Sequence, residues 1–304
     1  NITAAKAVTT NAIDFTSVAS VDAGAGDADE ITSDIVVAAK LTGVNALNGA
    51  GIDFSNIEKA GLNSGSLTGT SGNDVFNITA ANTVTTNAID FTGVASVDAG
   101  DGIADEITSD ITVAATLTGT NALNGAGIDF SNIEKADLNS GVLSGSDNAD
   151  TFELSGASLL ANNILFSAIN SLIDAKGGSD HVIGEDGTNW SLTTDNNQLN
   201  SSIFQFQNIN SADLVGTSLT GTSGDDVFNI TAANEVTTKD IGFTGVASVD
   251  AGDGTADEIT SDIAVAATLN GTNALNGAGI DFSNIEKAGL NSGSLTGTSG
   301  NDVF

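Results

Sequence analysis

The chain has 304 residues, is rich in Gly, Asn, Thr, Ser, Ala and Asp, and carries 39 acidic residues against 7 lysines, a net charge of −32. That balance excludes a nucleic-acid binder, which needs clustered basic residues, and disfavours an anionic membrane surface. Without Cys there can be no disulfide or thiolate metal site, and no run of 18 apolar residues is present to span a membrane as a helix.

A hydrophobic share of 40%, with Ile, Val, Leu and Phe recurring at regular intervals, opposes disorder. Division after Phe76, Phe152 and Phe228 gives four units of 76 residues: 1–76, 77–152, a divergent third at 153–228, and 229–304. The first residues, NITAA, follow naturally on the last, GTSGNDVF, so the chain reads as an interior portion of a longer array. Units two and four match without gaps at 61 of 76 positions. The differences are mostly of surface type, such as Thr83 against Glu235, Asn87 against Lys239 and Asp137 against Gly289. The apolar set is uniform, including Ile78, Val84, Ile89, Phe91, Val94, Val97, Ile107, Ile111, Val113, Leu117, Leu123 and Phe130, as expected of a buried face.

In chain order, unit two shows short bursts with period-two alternation: Ile89-Asp-Phe91, Val94-Ala-Ser-Val97 and Ile111-Thr-Val113. Such bursts are the pattern of half-buried strands. Gly/Asn/Asp turns separate them, among them AGDG at 99–102 and NGAG at 124–127. In unit three, residues 158–175 have helix-compatible spacing, but they occupy a slot that is strand-like in unit two, and strands are expected there. Unit three also holds the single Trp, Trp190, read as a core plug, and the single His, His181, too isolated to form a metal cluster or a triad. The NIEK segments are expected to place Lys59, Lys135 and Lys287 on a solvated face.

Many short strands at a fixed period predict an all-β chain, a repetitive β-solenoid in which stacked coils share one core. Tandem small β-sandwiches are the alternative, though units one, two and four lack the buried Trp, Tyr or disulfide that so small a sandwich usually needs. Phe76, Phe91, Ile107, Leu123, Leu138 and Phe152 lie 14 to 16 residues apart, which allows five coils of about 15 residues per unit; four coils of 19 also fit.

Two acidic loops recur. One spans 22–30, 98–106, 174–181 and 250–258; the other spans 69–74, 145–150, 221–226 and 297–302. Carboxylates on flexible Gly-containing loops suit Ca²⁺, a hard cation that prefers oxygen ligands. The candidates are Asp22, Asp27, Asp29, Asp74, Asp98, Asp101, Asp105, Asp150, Asp180, Asp226, Asp250, Asp253, Asp257 and Asp302. The plain alternative is that Asp and Gly only make turns. Gly69-Thr-Ser-Gly-Asn-Asp-Val-Phe-Asn77 resembles the RTX nonapeptide GGxGxDxUx of secreted bacterial proteins, with Thr70 in place of the second Gly. The resemblance implies Ca²⁺ held between stacked turns, with Asp74, Asp226 and Asp302 as ligands, Asp150 as a looser match, and Asp180 matching in the other loop. In that family the ligand Asp recurs every nine residues, whereas here the gaps are 30, 31, 45 or 46. The wider pattern resembles giant bacterial surface repeat proteins: adhesins, S-layer proteins and matrix fibres.

These features lead to an expectation of an extracellular, cell-surface structural repeat that is not an enzyme, stabilised by Ca²⁺. Its expected partners are identical copies or further repeats end to end, with neighbouring fibres or a surface polysaccharide as others. The stalk of a large adhesin is the alternative. A β-helical polysaccharide-active enzyme would need unique carboxylates in a cleft, which near-identical units argue against.

Overall fold

The computed structural model describes residues 1–302, and among them there is no helix; every regular element is a strand. The segment 158–175 is extended, as strands Ser158–Ala161 and Ile164–Asp174. The chain divides into two compact units, Asn1–Ser144 with Leu160–Asn170, and Gly145–Leu159 with the residues from Ser171 onward. Each is a β-solenoid.

In the first unit the strands form two ladders. One ladder runs through Glu30–Ile31, Lys59–Thr68, Ile89–Asp98, Thr83–Thr86, Val75–Ala80, Glu106–Ser109 and Lys135–Ser144. The other includes Ser20–Asp22, Ile52–Ser55, Ala46–Gly49 and Ala38–Gly43, and further on Ile128–Ser131, Ala122–Gly125 and Ala115–Gly119. The ten-residue strands Lys59–Thr68, Ile89–Asp98 and Lys135–Ser144 belong to both ladders. The first two bend where the register between them shifts, at Thr92/Val94 and Val94/Ser96. The second unit repeats the scheme: Val227–Ala232, Glu235–Thr238 and Ile241–Asp250 make the same antiparallel meander as Val75–Ala80, Thr83–Thr86 and Ile89–Asp98, offset by 152 residues.

Neither coil length suggested by the apolar spacing is observed. Parallel neighbours lie 28 residues apart at Ala115 and Leu143 and 33 apart at Val97 and Phe130. The physical reason is that successive apolar bursts are not successive coils. A three-stranded antiparallel meander interrupts each ladder, so some bursts only reverse direction. The second reversal of these meanders is a two-residue turn with both residues at positive φ, as at Asn87 (47°) and Ala88 (62°), and at Ala126 (52°) and Gly127 (78°). That is the hairpin geometry whose twist matches paired strands. Asn is the non-glycine residue best suited to this region, which accounts for much of the Asn content. Asn82, Asn121 and Asn234 also sit at positive φ, and each donates its Nδ2 to a carbonyl 12 residues later.

The uniform apolar set is the core. Within 77–152 every one of the named residues is buried except Ile111, which is half-buried. Trp190 is buried too, 6.5 Å from Phe206 between ring centroids, as a core plug should be. Lys59, Lys135 and Lys287 are exposed.

Close stacking makes a few glycines indispensable. A Cβ on Gly141 would lie 1.8 Å from the Val113 carbonyl oxygen and 2.8 Å from that of Leu138. Backbone cannot yield as a side chain does, so Gly141→Ala should pry the adjacent strands apart at a cost of about 1–3 kcal/mol. Urea denaturation of the single variant measures it, and an unchanged midpoint would contradict the stacking.

Candidate functional site

The two acidic loops that lie apart in sequence are stacked against each other in the fold. Asp74 and Asp105, 31 residues apart, are joined by a bond from the Asp74 amide to Asp105 Oδ1 at 2.7 Å. The Asp105 amide then donates to Glu134 Oε2 at 2.8 Å. The rung recurs as Asp226 to Asp257 at 2.6 Å and Asp257 to Glu286 at 2.9 Å. In the divergent stretch it runs from Asp150 to Asp180 at 2.9 Å and from Asp180 to Asn210 at 2.8 Å. The step from amide to Glu recurs at Asp29, whose amide donates to Glu58 Oε2 at 2.9 Å.

Each upper carboxylate also locks its own turn. Asp74 Oδ2 accepts the Thr70 amide at 2.7 Å and the Thr70 hydroxyl at 2.9 Å. Asp226 does the same with Thr222, and Asp150 with Ser146. Asp302 accepts the Thr298 hydroxyl at 2.9 Å. The glycines of the motif leave room for this: a Cβ on Gly69 would lie 2.8 Å from Asp74 Oδ2, and one on Gly221 would lie 2.9 Å from Asp226 Oδ2.

The remaining candidates fall elsewhere. Asp22, Asp98 and Asp250 are exposed and form a different rung. Each accepts an amide two residues on and the Nδ2 of an Asn 34 residues on: Asn56 at 2.8 Å, and Asn132 and Asn284 at 2.7 Å each. These bonds to Asn56 and Gly24 hold the Asp22 carboxyl below its usual range. Asp27, Asp101 and Asp253 are exposed and carry no hydrogen bond among the described residues. Sequence reasoning missed Glu58, Glu134 and Glu286, which end the rungs; the available signal was their fixed position 29 residues after Asp29, Asp105 and Asp257.

Asp105, Asp150, Asp180, Asp226 and Asp257 are buried at 2% exposure or less, and Asp74 at 5%. Burial pushes the carboxyls of Asp105, Asp180 and Asp257 up, against the opposing pull of the amide each accepts. Neighbouring acids add to the rise: Glu134, Asp74 and Asp98 for Asp105, Asp150 for Asp180, and Asp226, Glu286 and Asp225 for Asp257. In each of the three, Oδ2 is buried and accepts no hydrogen bond. Among the described residues, no three His, Cys, Asp or Glu side chains converge to hold a metal ion. Side chains alone therefore do not complete a cation cage, and backbone carbonyls or water would have to supply the remaining ligands.

One sequence difference between the repeats bears on this charge. Asp226 Oδ1 accepts no hydrogen bond of good geometry, but the Lys239 ammonium lies 3.3 Å away. At the equivalent position Asn87 offers its Nδ2 to Asp74 Oδ1 at 3.4 Å. The Asn87/Lys239 difference is therefore not a free surface change; it decides whether a cation or an amide faces the buried carboxylate. Lys239→Met should cost about 1 kcal/mol, because it strands a buried charge while losing a half-exposed pair, and Lys239→Asn less. Thermal melts of the two variants compare them; equal losses would count against the pairing.

Comparison with protein-family models, with curated proteins and with solved structures finds no match to this chain.

Proposed function

We propose that this chain is an extracellular structural repeat, a stalk, fibre or surface array, and does not act as an enzyme. The observation that carries the reading is the recurrence of one buried acid-to-amide rung at Asp74–Asp105, Asp150–Asp180 and Asp226–Asp257. A catalytic site is a single constellation, whereas these carboxylates recur with the repeat and are spent on fastening turn to turn. The stalk of a large adhesin is the same physical role with a binding domain elsewhere. Immunogold labelling of intact, unpermeabilised cells tests the location: surface label supports the reading, and label confined to the interior overturns it.

Ca²⁺ is part of the proposal, supported by the partnerless buried oxygens of Asp105, Asp180 and Asp257 and by the resemblance of the 69–77 segment to a calcium-binding nonapeptide. A cation that binds only the folded chain adds about 2.7 kcal/mol per site at a hundredfold excess over Kd. The melting midpoint should therefore rise from chelator to millimolar Ca²⁺, and more than in Mg²⁺. Equal midpoints in all three would leave the acids as turn-formers alone.

A further inference from the structure

We propose that Lys239 is a built-in counter-ion, standing at the Asp226–Asp257 rung where a divalent cation binds at the Asp74–Asp105 rung. The proposal rests on the Ca²⁺ reading above and names which rung the cation selects.

The two rungs are built from the same parts. Residues 69–72 and 221–224 both read GTSG, and the carboxylates of Asp74 and Asp226 lock them in the same way through Thr70 and Thr222. Each rung then passes through a buried aspartate to a glutamate, Asp105 to Glu134 and Asp257 to Glu286. In both, Oδ2 of that aspartate is buried without a hydrogen-bond partner. It lies against a glycine of its own turn, since a Cβ on Gly102 would stand 2.6 Å from it and one on Gly254 2.5 Å. A desolvated carboxylate oxygen with no donor is a ligand position for a hard cation.

What differs is how the charge is answered. Asp74, Asp105 and Glu134 put three acids in one rung, and among the described residues no ammonium lies within ion-pair distance of them. Asp74 Oδ1 receives only the Asn87 amide, a long neutral contact of 3.4 Å. At the other rung the Lys239 ammonium is 3.3 Å from Asp226 Oδ1, with the Lys239 side chain 22% exposed and that of Asp226 fully buried. Unit four also adds Asp225 and Asp240, where unit two has Asn73 and Ala88. Both are exposed, and the amides of Thr255 and Ala256 occupy Asp225 Oδ1. Water screens those two charges, whereas the ammonium faces the buried carboxylate directly. The Asp150–Asp180 rung lightens its charge in another way, ending on Asn210 instead of a glutamate.

An ammonium at Asp226 Oδ1 takes that oxygen as a ligand and repels an incoming cation. At the Asp74 rung neither obstacle exists. One position therefore sets whether a rung carries its own positive charge or collects one from solution. Asn87 and Lys239 share nearly the same backbone, with φ of 47° and 50°, so the two side chains can be exchanged without new strain.

Calorimetric titration of the full chain with CaCl₂ tests the proposal, using Asn87→Lys and Lys239→Asn, each the residue that the other repeat carries. Lys239→Asn should gain a Ca²⁺ site and Asn87→Lys should lose one, the affinity of the altered rung changing about 10-fold or more. The double exchange should restore the original count. In chelator, Asn87→Lys should melt above the unaltered chain, because the ammonium answers a rung that otherwise has no cation. Unchanged counts and affinities in both single variants, with the unaltered chain binding Ca²⁺, overturn the role of Lys239 and leave the Ca²⁺ reading intact. No Ca²⁺ uptake by any of the four chains overturns both.

Discussion

Phe91→Ala should destabilise the first compact unit by about 3–5 kcal/mol, whereas Phe15→Ala should cost only about 1–2 kcal/mol. Both residues stand in an Ile-Asp-Phe-Thr string on the third strand of equivalent meanders. Phe91 is fully buried, paired across strands with Val84 on one side and Ala60 on the other. Removing its ring deletes apolar contact and leaves a cavity that flanking β-strands, held by backbone bonds on both edges, cannot collapse to fill. Phe15 has Val8 on one side and is 43% exposed, so much of the cost of uncovering its ring is already met. Urea midpoints of the two single variants, taken at a concentration where the chain is monomeric, give the comparison. Similar losses would show that the local string, and not its neighbours, sets the energy.

The second large effect concerns the acid rungs. Asp105→Ala removes the acceptor of the Asp74 amide and leaves that buried donor unpaired, at a cost of about 1–3 kcal/mol. Asp105→Asn keeps an acceptor oxygen and removes the charge that burial opposes, so in chelator at pH 7 it should be neutral or stabilising. Asn at or above wild type, with Ala below both, is the expected result in urea and chelator; Asn falling with Ala would mean that the charge itself holds the turn. The same burial fixes the pH dependence. The folded-state pKa values of Asp105, Asp180 and Asp257 are raised, so their contribution is fully present below the ordinary carboxylate value of about 4 and is lost as pH rises through the raised values. Asp22 has the opposite sign: its pKa is lowered, and its contribution disappears as pH falls through that lowered value. In chelator the melting midpoint should therefore peak near pH 4 to 5 and decline toward neutrality, a decline that repulsion within a chain of charge −32 reinforces. In the Asp105→Asn chain the decline should be shallower.

Strand identity, the 152-residue recurrence of elements and the buried set follow from the sequence, because period-two alternation and turn-forming Asn and Gly act within a few residues. Ile89, Phe91, Val94 and Val97 were legible as core for that reason, and the all-β solenoid with them. The sequence also placed Asp74 and Asp105 in Gly-rich turns. It did not place them in one rung, since the amide-to-carboxylate bond joins residues 31 apart and depends on which turns stack. Nor did it reveal that Glu134 ends the rung. Coil length was hidden for a related reason: the turn at Asn87–Ala88 folds a strand back on its own ladder, and a reversal and an onward coil leave the same apolar spacing. Above all, Phe15 and Phe91 share their local string and differ in burial only because the Lys59–Thr68 strand lies against one of them. Local chemistry determines which residues can be core, and the stacking of distant strands decides which of them are covered.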